Sequence, residues 1–469
     1  MGDDARRNVI LTAAIAGLGG LLFGYDTGII ASAMLFIRTD LDLSSFEQGV
    51  VVAAVPIGAA FGALAAGPMS DKYGRRLVII VSAFVFIAGA IGSALSDSVG
   101  VLTFSRVVIG VAIGFASAVA PVYISEMAPP DIRGRLVTLF QLAVTIGILV
   151  AYLVGLALNS SGDWRLMLGL GAVPALLLAG GMIKMPQSPR WLVMSGQEYK
   201  ARATLQRIRA GGEHEIDIEI EEIEDQVGEE PGRWNELKTP MMRAALTVGV
   251  GLAILQQVTG INTVIYYAPT IVEYTGIDSS SSAILASIGV GIVNVGMTIV
   301  AIRLLDRAGR RPLLLFGVAG MSLSLFTLGL AFQLGDETTI TSVVAIGSLM
   351  LFVASFAISL GPIFWLINSE IYPLRTRSKA AALGTFANWI FNFAVSLTFL
   401  LLIDALGQSG AFWLYAAIGV VTWVFCAKLV PETKGKRLEE IEAVFAERAG
   451  VDPGSGPGGP DPVAPKPAT

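Results

Sequence analysis

Two ionisable side chains lie where charge is costly. Asp26 falls within an otherwise apolar stretch, residues 9–35, and Arg106 within another, residues 101–125. A charged group near the centre of a bilayer costs about 2.5–3.5 kcal/mol on insertion scales and marks an ion or proton pathway. At ~1.5 Å per helical residue, Asp26 sits ~6 Å outward of its stretch's midpoint and Arg106 roughly 10 Å outward of its own. The depths match well enough for an ion pair. The chemistry open to such a pair is reversible proton uptake: a protonated Asp26 releases Arg106, and a conformational equilibrium shifts. The alternative is a static structural pair, against which stands the expense of keeping a buried pair for stability alone.

The other polar side chains in the apolar stretches are mostly neutral amides, and they cluster. Gln256, Gln257 and Asn262 share one stretch, Gln141 and Asn294 lie in two others, and Asn388 stands beside Trp389. An amide offers donors and an acceptor, which suits the vicinal hydroxyls of an uncharged polyhydroxylated ligand. The aromatic faces of Trp365, Trp389 and Phe23 suit the C–H face of a pyranose. A charged substrate would need a lone charge, and none is left once Asp26 and Arg106 pair. Taken singly, each amide also fits a hydrogen bond between helices. Gln256, Gln257 and Asn262 share a face only if Thr259-Gly260 loosens the helix. Gly361-Pro362, ahead of Trp365, predicts a second break. Tyr266 and Tyr267, before Pro269, read as an extracellular gate or as interfacial aromatics.

These residues need elements to hold them. Of 469 residues, 54% are hydrophobic and only 15% charged, against about 25% charged in a soluble protein. That balance rules out disorder and argues against a soluble enzyme. A net charge of −5 argues against nucleic acid as a partner. Cys426 is the only cysteine and His214 the only histidine, so no disulfide framework, no thiolate or histidine metal site and no Ser-His-Asp triad is expected. No catalytic residue, metal or cofactor is expected either. Cys426 reads as packing and His214 as a solvated loop residue.

Twelve stretches are long and apolar enough to span a bilayer, a partner that demands ~20 such residues per helix. They lie near 9–35, 47–70, 77–97, 101–125, 134–158, 165–185, 244–270, 283–305, 311–334, 341–368, 378–403 and 410–430. The first is too long for a cleaved signal peptide. Lys72, Arg75, Arg76, Arg133, Arg135, Arg307, Arg310, Arg311, Arg375, Arg377 and Lys379 all fall in alternate loops, whereas the opposite loops hold only Arg38 and Arg165. The positive-inside rule then puts both termini on the cytoplasmic side of a cell (inner) membrane.

The chain also repeats itself. "DKYGRR" at 71–76 recurs as "DRAGRR" at 306–311, Glu126 precedes Arg133 as Glu370 precedes Arg377, and "PQSPRW" at 186–191 matches "PETKG" at 431–435. Near-constant offsets at matching places mean duplication. We therefore expect an all-α membrane protein of two pseudo-symmetric six-helix halves, 1–185 and 244–437. A polar helical linker, 186–243, would join them, with helices near 197–210 and 213–227. A cytoplasmic tail, 438–469, would follow, helical at first and disordered at its Pro/Gly-rich end. The acidic run from Glu213 to Glu230 reads as a solvated helix face or as a contact for the basic inner loops. Asp71, Arg75, Glu126 and Arg133, with Asp306, Arg310, Glu370 and Arg377, read as a salt-bridge network closing the inner face. Simple positive-inside topology is the alternative, though it calls for no acid at Glu126 or Glu370.

These motifs, together with "GGLLFGYDTGII" (19–30), "PVYISEMAPPDIRGR" (121–135), "QQVTGINTVIYYAP" (256–269) and "GPIFWLINSEIYPLRTR" (361–377), resemble the sugar porter family of the major facilitator superfamily. The resemblance spans residues 9–437 and points to its bacterial proton-coupled symporters. Gln187 departs from it, since many members have Glu there. The resemblance implies the major facilitator fold, a monosaccharide as substrate, protons as coupling ion and alternating access. It also implies that Gln141, Gln256, Gln257, Asn262, Asn294, Trp365 and Asn388 contact sugar and that Asp26 takes up the proton. A monomer suffices. A facilitative uniporter and an inositol or polyol symporter remain open, whereas a sugar sensor and a lipid-linked glycosyltransferase lack the tail and the acidic motif they would need.

Overall fold

The computed structural model describes residues 3–209, 212–228, 233–277, 279–334 and 339–451. Among these, eleven helical stretches are long and apolar enough to cross a membrane. In chain order we number Ala5–Asp40, Ser45–Tyr73, Arg75–Ala94, Val99–Met127, Arg133–Ala157, Trp164–Lys184, Pro240–Tyr266, Ser280–Leu305, Arg310–Leu334 and Ile340–Glu370 as spans 1 to 10. The last stretch, Arg375–Leu429, holds two crossings. Its 55 residues would run roughly 80 Å as one straight helix, well beyond a hydrocarbon core of ~30 Å. Gly407 breaks it, with φ 70° and ψ 169°. The rings of Phe399 and Tyr415, on either side of that glycine, stand 6.4 Å apart, so the arms fold back as spans 11 and 12.

Glycine sets how closely the spans approach. A Cβ on Gly24 of span 1 would lie 1.9 Å from the Val144 carbonyl oxygen of span 5. Spans 2 and 4 cross in the same way, since a Cβ on Gly58 would come 2.2 Å from Val107 O and one on Gly110 2.2 Å from Val55 O. Backbone contact of this kind is the usual means of tight packing between membrane helices. It fixes Asp26 and Arg106 in register, one just beyond Gly24 and the other a turn before Gly110.

Two spans are broken near the middle. Span 7 runs as Pro240–Val258, Ile261–Tyr266 and Ala268–Glu273, with Gly260 left-handed at φ 89°. Thr259-Gly260 therefore is the loosening point that the amide spacing required. Span 10 breaks at Ile358–Ser359, between Thr339–Ala357 and Leu360–Glu370, not at Gly361-Pro362 as the sequence suggested. Pro362 falls in the first turn of the second piece, where a missing N–H leaves no helical bond unmade.

Between the sixth and seventh spans come helices Pro189–Met194, Glu198–Ile208 and Glu213–Gly228 and a 3-10 turn, Trp234–Lys238. They pack under the first half: Arg209 donates to Met127 O at 2.9 Å and Asn8 to Arg207 O at 3.3 Å. The acidic run pairs with its own neighbour, Asp217 with Arg202 and Glu219 with Arg209. A last helix, Leu438–Ala449, follows span 12; the expected disordered end lies outside the described residues from 452 on. Cys426 is buried, as expected, and His214 is exposed, but it stands in the first turn of helix Glu213–Gly228 and not in a loop.

Candidate functional site

Span 4 carries Arg106 against Asp26 of span 1 in a two-pronged pair, Nη1 to Oδ1 at 3.3 Å and Nη2 to Oδ2 at 3.4 Å. The side chains are 1% and 4% exposed. Arg106 Nε donates to Val51 O of span 2 at 2.9 Å, so one guanidinium ties three spans of the first half. Removing the carboxylate charge would loosen this knot and leave the arginine buried without a full partner.

The left-handed turn at Gly260 brings Asn262 back to Gln257, with Asn262 Nδ2 donating to Gln257 Oε1 at 2.7 Å. Gln257 Nε2 donates to Asn388 Oδ1 of span 11 at 3.0 Å, and Asn388 Nδ2 to Gln256 Oε1 at 2.7 Å. Gln256 Nε2 reaches span 10 at Leu360 O, 2.8 Å away. These four amides form one connected chain across spans 7, 10 and 11. Phe23 of span 1 and Trp389 of span 11 stand ring to ring, 5.4 Å between centroids. Trp389 Nε1 is buried and has no partner among the described residues, a donor ready for a ligand hydroxyl. Gln141 is half-buried, Asn294 is buried and Trp365 is 40% exposed; none of the three joins the amide chain.

Tyr266 and Tyr267 are both buried, at 3% and 0% exposure, and do not form an aromatic belt. Asn392 Nδ2 donates to Tyr266 Oη at 3.5 Å, and the same hydroxyl interacts with Thr27, the residue after Asp26. Tyr267 Oη donates to Ser396 O at 3.3 Å. Asn392 and Thr27 were missed in the sequence reading. Asn392 lies one helical turn after Asn388, a spacing that puts both on one face and could have exposed it. Three ties also join the halves at the end away from the termini, again unforeseen: Arg38 to Glu273 at 2.8 Å, Asn159 to Ser281 at 2.6 Å and Tyr152 Oη to Ile265 O at 2.9 Å.

At the end that carries the termini, the expected charged residues fall into two clusters, one per half. Arg75 pairs with Glu126 at 3.1 Å and with Asp71 at 3.1 Å. Arg310 pairs with Glu370 at 3.0 Å. Arg133 lies exposed and makes no ion pair among the described residues. Arg377 Nε donates to Tyr372 O at 3.1 Å, and the side chain of Asp306 is outside the described residues. The motif ends supply further acceptors. Gln187 Oε1 accepts from Arg76 N at 3.0 Å, and Glu432 from Arg310 N and Arg311 N, each at 3.0 Å. Burial opposes ionisation of Glu432, but the N–H groups of Lys434, Arg310 and Arg311 and the Arg310 charge hold its carboxyl below the usual range.

Comparison with known proteins places this geometry. A family model described as "Sugar (and other) transporter" matches residues 12–445. The D-xylose transporter of Levilactobacillus brevis is 41% identical over 436 residues, covering 93% of this chain and 95% of that one. The galactose-proton symporter of Escherichia coli (strain K12) is 40% identical over 429 residues, 91% and 92% of the two chains. Among solved structures, the inward open conformation of the E. coli xylose transporter superposes with a TM-score of 0.81 at 34% identity, covering 93% of this chain and 99% of that one. The chain belongs to the sugar transporter family of the major facilitator superfamily and is a multi-pass membrane protein.

Proposed function

We propose that this chain is a proton-coupled symporter that imports a monosaccharide, a hexose or a pentose, by alternating access. The observation that carries the reading is the buried Asp26–Arg106 pair one residue away from Thr27, whose partner Tyr266 touches the helix of the amide chain. Two relatives support both halves of the reading: a D-xylose transporter and a galactose-proton symporter. With both termini cytoplasmic, as the Lys/Arg asymmetry argues, residues 1–185 and 244–437 are the two rocking halves and 186–243 the inner linker. The membrane is then the bacterial inner membrane.

In the proposed cycle a proton from outside neutralises Asp26 and weakens its hold on Arg106. The sugar docks against the amides and the Phe23–Trp389 pair, with Gln141, Asn294 and Trp365 completing the cavity. Tyr266 and Tyr267 close it from outside, aided by the Arg38–Glu273 tie. The Arg75–Glu126 and Arg310–Glu370 clusters steady the inner ends of the halves when they meet. A membrane potential of ~100 mV is worth about 2.3 kcal/mol per charge; at 1.36 kcal/mol per decade, one proton per sugar supports roughly fifty-fold accumulation.

The test is sugar-induced proton movement. Purified protein in lightly buffered liposomes with an internal pH dye receives glucose, galactose, xylose, fructose and myo-inositol in turn. An acid shift inside with a hexose or pentose, absent in Asp26→Asn, is the expected result. Labelled-sugar exchange with no pH change would make the chain a uniporter, a response to myo-inositol alone would make it a polyol symporter, and either overturns the reading.

A further inference from the structure

The charged clusters at the terminus-side end hold each half to itself. Arg75 pairs with Glu126 and Asp71 inside the first half, and Arg310 pairs with Glu370 inside the second. At the opposite end a pair crosses between the halves. Arg38, in the last turn of span 1, donates from Nη2 to Oε2 of Glu273 at 2.8 Å, and Glu273 ends the half-helix Ala268–Glu273. The two side chains are 30% and 19% exposed, so water and salt screen the pair only in part. Two neighbouring ties across the halves are neutral, Asn159 to Ser281 and Tyr152 to Ile265 O.

Glu273 closes a segment with a left-handed glycine at each end. Gly260 has φ 89° and Gly276 φ 84°, so the chain turns sharply before Ile261 and after Thr275. The inner part of the segment rests on its own half: Tyr267 stands 5.0 Å from Phe399 of span 11, ring to ring, and donates to Ser396 O. Its outer end is what Arg38 holds. The helix that supplies Arg38 also supplies Asp26, twelve residues earlier, or ~18 Å along the axis. Tyr274, next in the chain to Glu273, lies within electrostatic reach of Arg38, Glu273 and Asp404 of span 11. One arginine of the first half therefore faces two carboxylates of the second.

We propose that Arg38 and Glu273 form an ion lock between the halves, which sets how often the protein opens at the end away from its termini. Opening there parts span 1 from Ala268–Glu273, breaks the pair and returns both charges to water. The pair exists in one state and not in the other, the differential contact that a conformational bias needs. Its burial lies between that of a surface pair and a fully buried one, so it favours the closed form by about fivefold to tenfold. Asp404 leaves Arg38 a residual attraction once Glu273 is neutral, so loss of the arginine opens the protein further than loss of the glutamate. The consequence for uptake rests on the sugar-transport reading above; the lock itself does not.

A distance measurement on the full-length protein without sugar tests it. Spin labels on Asp97→Cys and Gln333→Cys, exposed sites at that end on opposite halves, in a Cys426→Ser background, are read by double electron–electron resonance in nanodiscs. Wild type is expected to give one dominant short distance. Arg38→Gln should raise the ratio of long to short distances about fivefold to tenfold, and Glu273→Gln should raise it less. The swap of Arg38→Glu with Glu273→Arg should bring the ratio back close to wild type, which a loss of packing would not do. Salt at about 1 M, where the screening length is ~3 Å, should open wild type part-way and leave Arg38→Gln unchanged. In uptake, Arg38→Gln should lower KM for external sugar, because more of the protein is open to it. Equal ratios in wild type and both single variants, or a swap as open as Arg38→Gln, overturns the proposal. If wild type transports none of the five sugars, the transport reading fails while the lock is still measured.

Discussion

In the N-terminal half, Arg75 pairs with Glu126, Ser188 donates to the same carboxylate, and Gln187 accepts from the Arg76 N–H at the start of span 3. In the C-terminal half, Arg310 pairs with Glu370, Thr433 donates to it, and Glu432 accepts from the first N–H groups of span 9. Gly74 and Gly309 turn the chain into these spans with the same φ of 90°. Midway through the membrane the halves part company. The first holds a buried ion pair, Asp26–Arg106, and the second a chain of neutral amides. Duplication has kept the charged cluster in both halves and has let the polar groups at mid-membrane diverge, a buried ion pair in one half and connected amides in the other. The repeated clusters themselves differ in burial and in one charge, Gln187 against Glu432.

That contrast can be broken most severely at its unpaired member. Arg106→Met strands the Asp26 carboxylate in the membrane and is expected to cost about 3–5 kcal/mol, the loss seen when half of a buried pair is removed. Thermal unfolding in detergent should show the fall in Tm, and adding Asp26→Asn should recover most of it. Next come the matched clusters. The Arg75 and Glu126 side chains are 8% and 9% exposed, those of Arg310 and Glu370 15% and 27%. Glu126→Gln should therefore destabilise by about 2–3 kcal/mol and Glu370→Gln by about 1 kcal/mol. Equal losses would refute the claim that burial separates the two copies.

A smaller effect sharpens the single-charge difference. Gln187→Glu gives the start of span 3 the anionic acceptor that span 9 already has, and should stabilise by about 0.5–1 kcal/mol; Glu432→Gln should do the reverse. The smallest effect is in pH. The Glu432 carboxyl is held below its ordinary range in the fold. Its contribution is therefore present above the unfolded value, ~4.3, and is lost as pH falls through the lowered folded value. Wild-type Tm measured downward from pH 5 should decline more steeply than that of Glu432→Gln.

Much of this was legible beforehand because membrane burial writes plainly in sequence. Uninterrupted apolar runs gave the spans, and charges stranded in them gave Asp26 and Arg106, which pair as their depths implied. The hairpin at Gly407 was also foreseen as two spans, although the helix runs on nearly to the turn. The break in span 10 was placed three residues late, at 361–362 against 358–359, because Pro reads as a breaker wherever it stands while its effect depends on its place within a helical turn. Contacts to backbone carbonyls, such as Gln256 on Leu360 and Arg106 on Val51, carry no side-chain signature and had to await the fold. The charged residues of the repeated motifs announced themselves by repetition, but spacing alone did not tell that Arg75 pairs within the first half and Arg310 within the second.

Asp26, buried against Arg106, is the residue proposed to couple protons to sugar. Proteoliposomes with an imposed inward proton gradient and a labelled transportable sugar test it directly, with counterflow at equal pH as the control. Wild type is expected to concentrate the label inside, whereas Asp26→Asn exchanges it at a comparable rate and stops at equal concentrations. Accumulation by Asp26→Asn to the wild-type level would contradict the account and reduce the Asp26–Arg106 pair to a structural tie.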